Sequence, residues 1–182
     1  MLKADEDALR AIRAASTALQ ERWPDGQSPR SWFGVSWSDD RVQWLNFDSS
    51  GLEVLARQIG QLTALTELNL WSCQLEELPP QIGQLLALTY LNLGGCKQLK
   101  KLPPQIGQLL ALTNLHLDYC DQLALAPGAE KGQQGQTIVA AYARLLIVEP
   151  RKDGGGAGGG EGSGGSAKYP DYKARESSRT SS

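Results

Sequence analysis

Apolar and polar residues alternate in short stretches along the middle of this 182-residue chain. In the segment TELNL (66–70), Leu68 and Leu70 alternate with polar residues. This period of two predicts a strand with the leucines on one face and Glu67, Asn69 and Trp71 on the other. A single short strand cannot bury its own leucine pair, so the pattern requires similar strands on either side.

The same pattern returns at a fixed spacing. The block QIGQLLALT begins at Gln81 and again at Gln105, and QIGQLTALT begins at Gln58, so the starts are 23 and 24 residues apart. A weaker unit, RVQWLNFDSSGLEVLARQ, lies one period earlier, at 41–58. A period of this length predicts a solenoid of about four stacked units with one parallel sheet.

The two most similar units also carry a short segment that begins at proline. In PQIGQLLAL the apolar residues recur at intervals of three, which is typical of a short helical or 3₁₀ segment. The pair Pro79–Pro80 ends the strand half, because proline lacks the N–H that a sheet needs and suits a helix start. Gly60, Gly83 and Gly107 recur inside this segment and disfavour a regular helix. The sequence predicts an α/β solenoid with a short parallel sheet on the concave face and helical or 3₁₀ segments on the convex face.

Amphipathic segments on both sides of the repeats predict helical caps. Residues 5–22 place apolar residues on one stripe and acids in the first turn, which indicates a helix. The segment SWFGVSW (31–37) then supplies Trp32, Phe33, Val35 and Trp37 to cover the first repeat. Residues 136–148 predict a second helix. Its proposed apolar face contains Ile138, Tyr142, Leu145 and Glu149.

These patterns divide the chain into four regions. We expect an N-terminal capping region at 1–40, repeats at 41–128 and a C-terminal capping helix at 129–150. Residues 151–182 are rich in Gly and Ser and contain no Leu, Ile, Val or Phe, so they cannot build a core and are predicted to be a disordered tail.

Composition and charge exclude several classes of partner. A net charge of −2 offers no basic field for nucleic acid or an anionic membrane, and no window is apolar enough to span a bilayer. The start MLKADEDALRAIRAA does not resemble a signal peptide, and the three cysteines lack disulfide spacing. We therefore expect a cytoplasmic monomer without a cofactor.

The motif LxxLxLxxCxxLxxLPP and its linker LPxxIGxLxxL resemble the leucine-rich repeats of intracellular signalling scaffolds and plant-type disease-resistance proteins. SWFGVSW is similar to the N-terminal cap of plant-type leucine-rich repeat proteins. The segment GQQGQTIVAAYARLL (132–146) is similar to the helix that follows the repeats in Roco proteins, which are repeat-containing GTPases. Their QGT element corresponds to Gln134–Thr137 here, with one extra residue. No GxxxxGK[ST] motif occurs, so the GTPase itself is absent.

Two sets of residues admit a chemical interpretation. Cys73, Cys96 and Cys120 occupy the same repeat position, and with His116 they suggest a metal site, but metal-type spacing is missing. The resemblance implies a structural role, since leucine-rich repeats place a small, inward, polar residue at this position. His116 and Asp118 are the only pair that favours an enzyme, and no nucleophile motif accompanies them. We predict no metal and no catalysis.

The two most similar units are identical on the convex side and diverge on the strand side, YLNLGGCKQ (90–98) against NLHLDYCDQ (114–122). Outward aromatic residues are enriched at interface hot spots. We therefore predict a protein-binding concave face, with Trp71 and Tyr90 seating one apolar group of the partner. The predicted contact residues are Trp44, Asn46, Glu67, Asn69, Trp71, Tyr90, Asn92, Asn114, His116, Asp118 and Tyr119. The predicted function is a non-catalytic interaction module in intracellular signalling, and the alternative is the regulatory repeat fragment of a Roco-type GTPase.

Overall fold

The computed structural model of the protein describes residues 2–133 and 135–148. Its sheet has five strands in chain order: β1 (Val35–Ser38), β2 (Arg41–Asn46), β3 (Glu67–Asn69), β4 (Tyr90–Asn92) and β5 (Asn114–His116). β1 pairs antiparallel with β2, whereas β2 to β5 are parallel. The inward leucines of the parallel strands lie side by side in register, at Leu45, Leu68, Leu91 and Leu115. The predicted parallel sheet and its leucine register are confirmed.

Three 3₁₀ helices form the convex face, at Arg57–Gln61, Pro80–Gln84 and Pro104–Gln108. The predicted short convex segments are therefore confirmed. The glycine in each helix is required by close packing, in addition to its weak helix propensity. A Cβ atom on Gly83 would lie 2.5 Å from the Oε1 atom of Gln108 and 2.6 Å from the carbonyl oxygen of Gln105. Neighbouring 3₁₀ helices can approach this closely only because the glycine has no side chain.

The N-terminal cap differs from the single helix predicted at 5–22. It consists of α1 (Leu2–Ala14) and α2 (Thr17–Arg22), separated by a break before Ser16. The Ser16 side chain accepts a hydrogen bond from the Leu19 N–H and so begins a new helix, as serine commonly does at an N-cap. The prediction missed this break because the apolar stripe continues across it.

Aromatic residues seal the first repeat under this cap. Trp23 and Trp32 are buried and stack with ring centroids 4.7 Å apart, and Phe47 of the first repeat contacts the Trp23 ring. Phe33 was predicted to cover the repeat, but it is 71% exposed and lies under the Arg22 guanidinium. That prediction was wrong because Gly34, with φ of 83°, turns the chain into strand β1.

A buried carboxylate fastens α1 to the first repeat. The Asp5 Oδ2 atom accepts hydrogen bonds from the Val42 N–H at 2.9 Å and from the Arg41 Nε–H at 3.0 Å. Asp5 is only 1% exposed. A buried charge of this kind is tolerated only when it is paired and hydrogen-bonded, so the contact fixes the position of α1 on the sheet.

The C-terminal cap is α3 (Gly135–Val148), which agrees with the predicted helix at 136–148. Ile138, Val139 and Tyr142 are buried, and the Tyr142 hydroxyl accepts a hydrogen bond from the Ala126 N–H at 3.2 Å. Burial raises the pKa of Tyr142. The side chains of residues 145–148, the predicted face residue Glu149 and the predicted tail at 151–182 lie outside the described part. No helix within the described residues has the length and apolar content to cross a membrane.

Candidate binding surface

The concave face is defined here as the outer side of β2 to β5 together with the turn that follows each strand. It contains all eleven predicted contact residues in adjacent columns. One column is Trp44, Glu67, Tyr90 and Asn114, and the next is Asn46, Asn69, Asn92 and His116. Because the leucines between these positions are buried, the columns face solvent. The structure therefore brings the predicted residues together on one surface.

An aromatic pair crosses this face over three repeats. The Trp71 ring of the second repeat meets Tyr119 of the fourth in an edge-to-face contact, with centroids 6.2 Å apart and planes at 84°. The ring passes over Gly94 of the third repeat, where a Cβ atom would lie 2.3 Å from the Trp71 Cζ3 atom. The absence of a side chain at Gly94 thus allows the pair to form. The signal was present in the sequence, since glycine at this position stands in a column that otherwise holds Asp48, Trp71 and Asp118.

Tyr119 adopts an unusual backbone conformation. Its φ of 59° lies in the left-handed region, as does the equivalent turn residue in the other repeats: Ser49, Ser72 and Gly95. A bulky residue in this region costs about 1–2 kcal/mol, and such strain concentrates at functional sites. The Tyr119 side chain is also 70% exposed. The fourth repeat therefore holds a strained, exposed aromatic residue where a serine or glycine would serve the turn.

A second aromatic contact lies beside the first. Tyr90 packs on His116 of the next strand with ring centroids 5.3 Å apart, and the His116 Nδ1 atom lies 3.8 Å from the Asp118 Oδ2 atom. Trp71 and Tyr90 were predicted to act together on one partner group. The aromatic contacts of the structure instead pair Trp71 with Tyr119 and Tyr90 with His116.

The asparagine column has a structural role as well as an outward position. The Oδ1 atoms of Asn46, Asn69 and Asn92 accept hydrogen bonds from the backbone N–H two residues later, at 2.8, 3.0 and 2.9 Å. Each bond connects the last residue of its strand to the turn that follows. The amide nitrogens remain available to a partner. His116 replaces asparagine in the fourth repeat, so the bond pattern stops at the end of the array.

The three cysteines form a structural column inside the turns. The Cys73, Cys96 and Cys120 thiols donate to the carbonyl oxygens of the preceding repeat, at 3.3, 3.2 and 3.1 Å. Burial raises the pKa of all three thiols, to about 12 for Cys96, where the neighbouring cysteines add to the effect. All three are free and buried, and the described residues hold no cluster of metal-ligating side chains. These bonds match the expected structural role.

A groove on the flank of the solenoid was not predicted. It has a volume of about 780 Å³ and is lined by the turns that follow β2, β3 and β4. Its charged residues occupy two adjacent repeat positions: Glu53, Glu76 and Lys100 at the first, and Glu77 and Lys101 at the second. Lys100 and Glu76 form an ion pair at 2.6 Å. The sequence alone does not reveal this groove, because the groove forms only when the turns of successive repeats stack.

Comparison with known proteins identifies the repeats. The family model for the Leucine Rich Repeat matches residues 64–85 and 87–109. A leucine-rich repeat protein of Leptospira interrogans is 38% identical over 48% of this chain and 25% of its own, with a TM-score of 0.41. No curated protein gives a significant match.

Two plant structures are similar at lower identity. A plant ice-binding protein is 22% identical over 68% of this chain and 49% of its own, with a TM-score of 0.49. The ectodomain of the receptor kinase SOBIR1 from Arabidopsis thaliana is 23% identical over 66% of this chain and 76% of its own, with a TM-score of 0.45. The chain thus spans a quarter of the Leptospira protein and about half of the ice-binding protein. With the stacked strands in register, the family match shows that this chain contains leucine-rich repeats and has the leucine-rich repeat fold.

Proposed function

We propose that this chain is a non-catalytic interaction module that binds a protein partner on its concave face. Leucine-rich repeat domains generally mediate protein–protein interactions, because stacked repeats present an extended concave surface. The observation that carries the proposal is the Trp71–Tyr119 pair, which places two aromatic rings on that surface. Tyrosine and tryptophan supply a large contact area at a low entropic cost, which makes them common interface anchors.

The polar residues around the pair give the surface its selectivity. Glu67, which lies beside Tyr90 in the sheet, and Asp118, which precedes Tyr119, are exposed acids. His116 and Asn114 add hydrogen-bonding groups. Charges at the rim of an interface mainly determine the association rate and exclude wrong partners. The expected partner therefore presents an apolar or aromatic anchor flanked by basic side chains.

The test is capture of partners from extract by the purified chain, read by mass spectrometry, followed by affinity measurement for each candidate. Trp71→Ala and Tyr119→Ala are expected to weaken binding by about 2 kcal/mol each, if both rings act as anchors. The convex variants Gln84→Ala and Gln108→Ala serve as controls, since both side chains are exposed on the opposite face. Circular dichroism must show that all four variants remain folded.

A substitution at Gly94 tests the geometry of the pair without removing a ring. Gly94→Ala places a Cβ atom where the Trp71 ring now lies, so the ring must move away from Tyr119. Partner affinity should fall although both aromatic residues remain. Loss of binding in the convex variants, with the concave variants unaffected, would assign the interaction to the other face.

The cellular setting is part of the proposal. A cytoplasmic location is supported by three free thiols, one in each of three repeats, which suit a reducing compartment. A signalling role there is the accompanying proposal. Fractionation of cells with an antibody to the chain would test this location. Recovery in the secreted fraction would contradict it.

A second candidate is the regulatory repeat segment of a Roco-type GTPase. It is supported by α3, which begins within the QGQT element and packs on the last repeat through Ile138 and Tyr142. Sequencing the full transcript tests this candidate. A GxxxxGK[ST] motif downstream of the helix would support it, and a stop codon directly after this chain would exclude it.

A further inference from the structure

The hydrogen-bond pattern between repeats stops at an open edge. In each earlier repeat, two N–H groups donate to carbonyl groups two residues apart in the next repeat. Phe47 and Ser49 donate to Asn69 and Trp71, at 2.8 and 3.0 Å. Leu70 and Ser72 donate to Asn92 and Gly94, and Leu93 and Gly95 donate to His116 and Asp118, at distances of 2.7–2.9 Å.

The equivalent donors in the fourth repeat are the N–H groups of Leu117 and Tyr119. Within residues 2–133 and 135–148, neither of these groups has an acceptor. Beside them lies a groove of about 270 Å³, between residues 113–118 on one side and Gly132, Gln133 and Gly135 on the other. Among the described residues, this edge is therefore unpaired at Leu117 and Tyr119, and the groove makes it accessible.

The start of α3 closes only the first half of this edge. A Cβ atom on Gly135 would lie 3.0 Å from the Thr113 carbonyl oxygen and 3.2 Å from the Leu115 nitrogen. The helix thus lies against the beginning of β5, and Lys131 Nζ donates to the Cys120 carbonyl oxygen farther along, so among the described residues the open stretch is His116–Tyr119. An added strand must enter from the His116–Tyr119 side.

We propose that this edge binds an extended segment of a protein partner, which pairs with the open donors of Leu117 and Tyr119 beyond β5. An extended chain presents carbonyl groups two residues apart on one edge, and this is the spacing that the existing repeats supply to Phe47 and Ser49. This site differs from the concave aromatic surface, because the partner binds it through main-chain hydrogen bonds and not through contacts with aromatic side chains.

Charge decides which segment fits. In the register of the sheet, the second acceptor residue of the added strand lies next to Asp118, as Asp118 lies next to Gly94. The Asp118 side chain is 62% exposed, and its Oδ2 atom lies 3.8 Å from the His116 Nδ1 atom. The Lys131 ammonium is held on the Cys120 carbonyl. Opposite charges directly across neighbouring strands attract, so the segment carries lysine or arginine at this position.

The chain provides its own template for a probe. A synthetic peptide that copies residues 69–72 with Trp71→Lys, acetylated and amidated, contains the carbonyls that accept from Phe47 and Ser49. In the register of the sheet it places lysine next to Asp118 without reaching the part of β5 that α3 covers. The matched control peptide carries Trp71→Glu. The protein variant Asp118→Lys reverses the preference, and circular dichroism checks that it is folded.

The readout is amide exchange by NMR at Leu117 and Tyr119, together with peptide affinity. Without peptide, both amides should exchange at least tenfold faster than those of Leu93 and Gly95. The lysine peptide should slow both at least tenfold. It should bind the wild type about three- to fivefold more tightly than the glutamate peptide does, and Asp118→Lys should invert that order.

Three results would overturn the proposal. Slow exchange at Leu117 and Tyr119 in the free protein would show that the edge is already covered. If both peptides bind equally and neither slows amide exchange at Leu117 and Tyr119, the peptides contact another part of the protein. Dimerisation in sedimentation experiments that slows the same amides would assign the edge to a second copy of the chain. The concave variants Trp71→Ala and Gly94→Ala test the proposed function separately, since they leave both donors in place.

Discussion

Replacing Leu91 with alanine tests whether the register of the stacked leucines determines stability. Leu91 is fully buried and lies between Leu68 and Leu115 in neighbouring strands. The substitution removes three carbon atoms, whose transfer from water contributes about 2.4 kcal/mol at about 0.8 kcal/mol for each group. The flanking strands are fixed by hydrogen bonds and cannot collapse into the space. The cavity that remains therefore lowers the stability further. The expected loss of unfolding free energy is about 3–4 kcal/mol, within the range of about 2–5 kcal/mol for buried leucines.

The same substitution at two other positions provides a graded comparison. Leu115 is 8% exposed and belongs to the last repeat, where one side of the space can relax, so Leu115→Ala is expected to cost about 2 kcal/mol. Leu86 is 64% exposed on the convex face, and Leu86→Ala is expected to change stability by less than about 0.5 kcal/mol.

Urea denaturation followed by circular dichroism measures all three variants against the wild type. The slope of the transition should stay constant, so that the shift in midpoint reports stability. Equal losses for Leu86→Ala and Leu91→Ala, or a Leu91→Ala variant within about 0.5 kcal/mol of wild type, would refute the assignment of the core.

The remaining predictions concern the caps and the cysteine column. Gly107→Ala should destabilise the protein by about 1–3 kcal/mol, because its Cβ atom would lie 2.4 Å from the Ala143 nitrogen of α3; thermal melting measures this loss. Asp5→Ala should cost about 3 kcal/mol in urea denaturation, since it leaves the buried Val42 N–H and the charged Arg41 without their acceptor, and Asp5→Asn should cost less. Burial raises the pKa of Cys96 to about 12, so the neutral thiol stabilises the fold fully below about pH 9, and this stability is lost as the pH rises toward 12. Between about pH 9 and 10.5 the wild type should therefore lose stability more steeply than Cys96→Ala, by up to about 1.4 kcal/mol for each pH unit. Equal slopes for the two proteins would contradict this, because they would mean that the Cys96 thiol has the same pKa in the folded and the unfolded state.

On the concave surface, the sequence predicts the direction of the side chains but not the contacts between them. The period of two placed Glu67, Tyr90 and His116 on the outer face, because side-chain direction in a strand follows from position alone. The contacts among those side chains did not follow. Trp71 reaches Tyr119, 48 residues later in the chain, only because Gly94 leaves a gap between them.

The sequence by itself determined the repeat period, the inward leucines, the convex 3₁₀ segments at each repeated QIGQ block and the helix that covers the last repeat. These features depend on the spacing of residues along the chain, which can be read directly from the sequence. The tertiary structure decided the break at Ser16, the exposure of Phe33 and the open donors at Leu117 and Tyr119. Each of these depends on which groups meet across repeats, and a donor is open only when the next strand is missing. The periodicity therefore specifies the fold, whereas packing between repeats decides which surfaces remain free to bind.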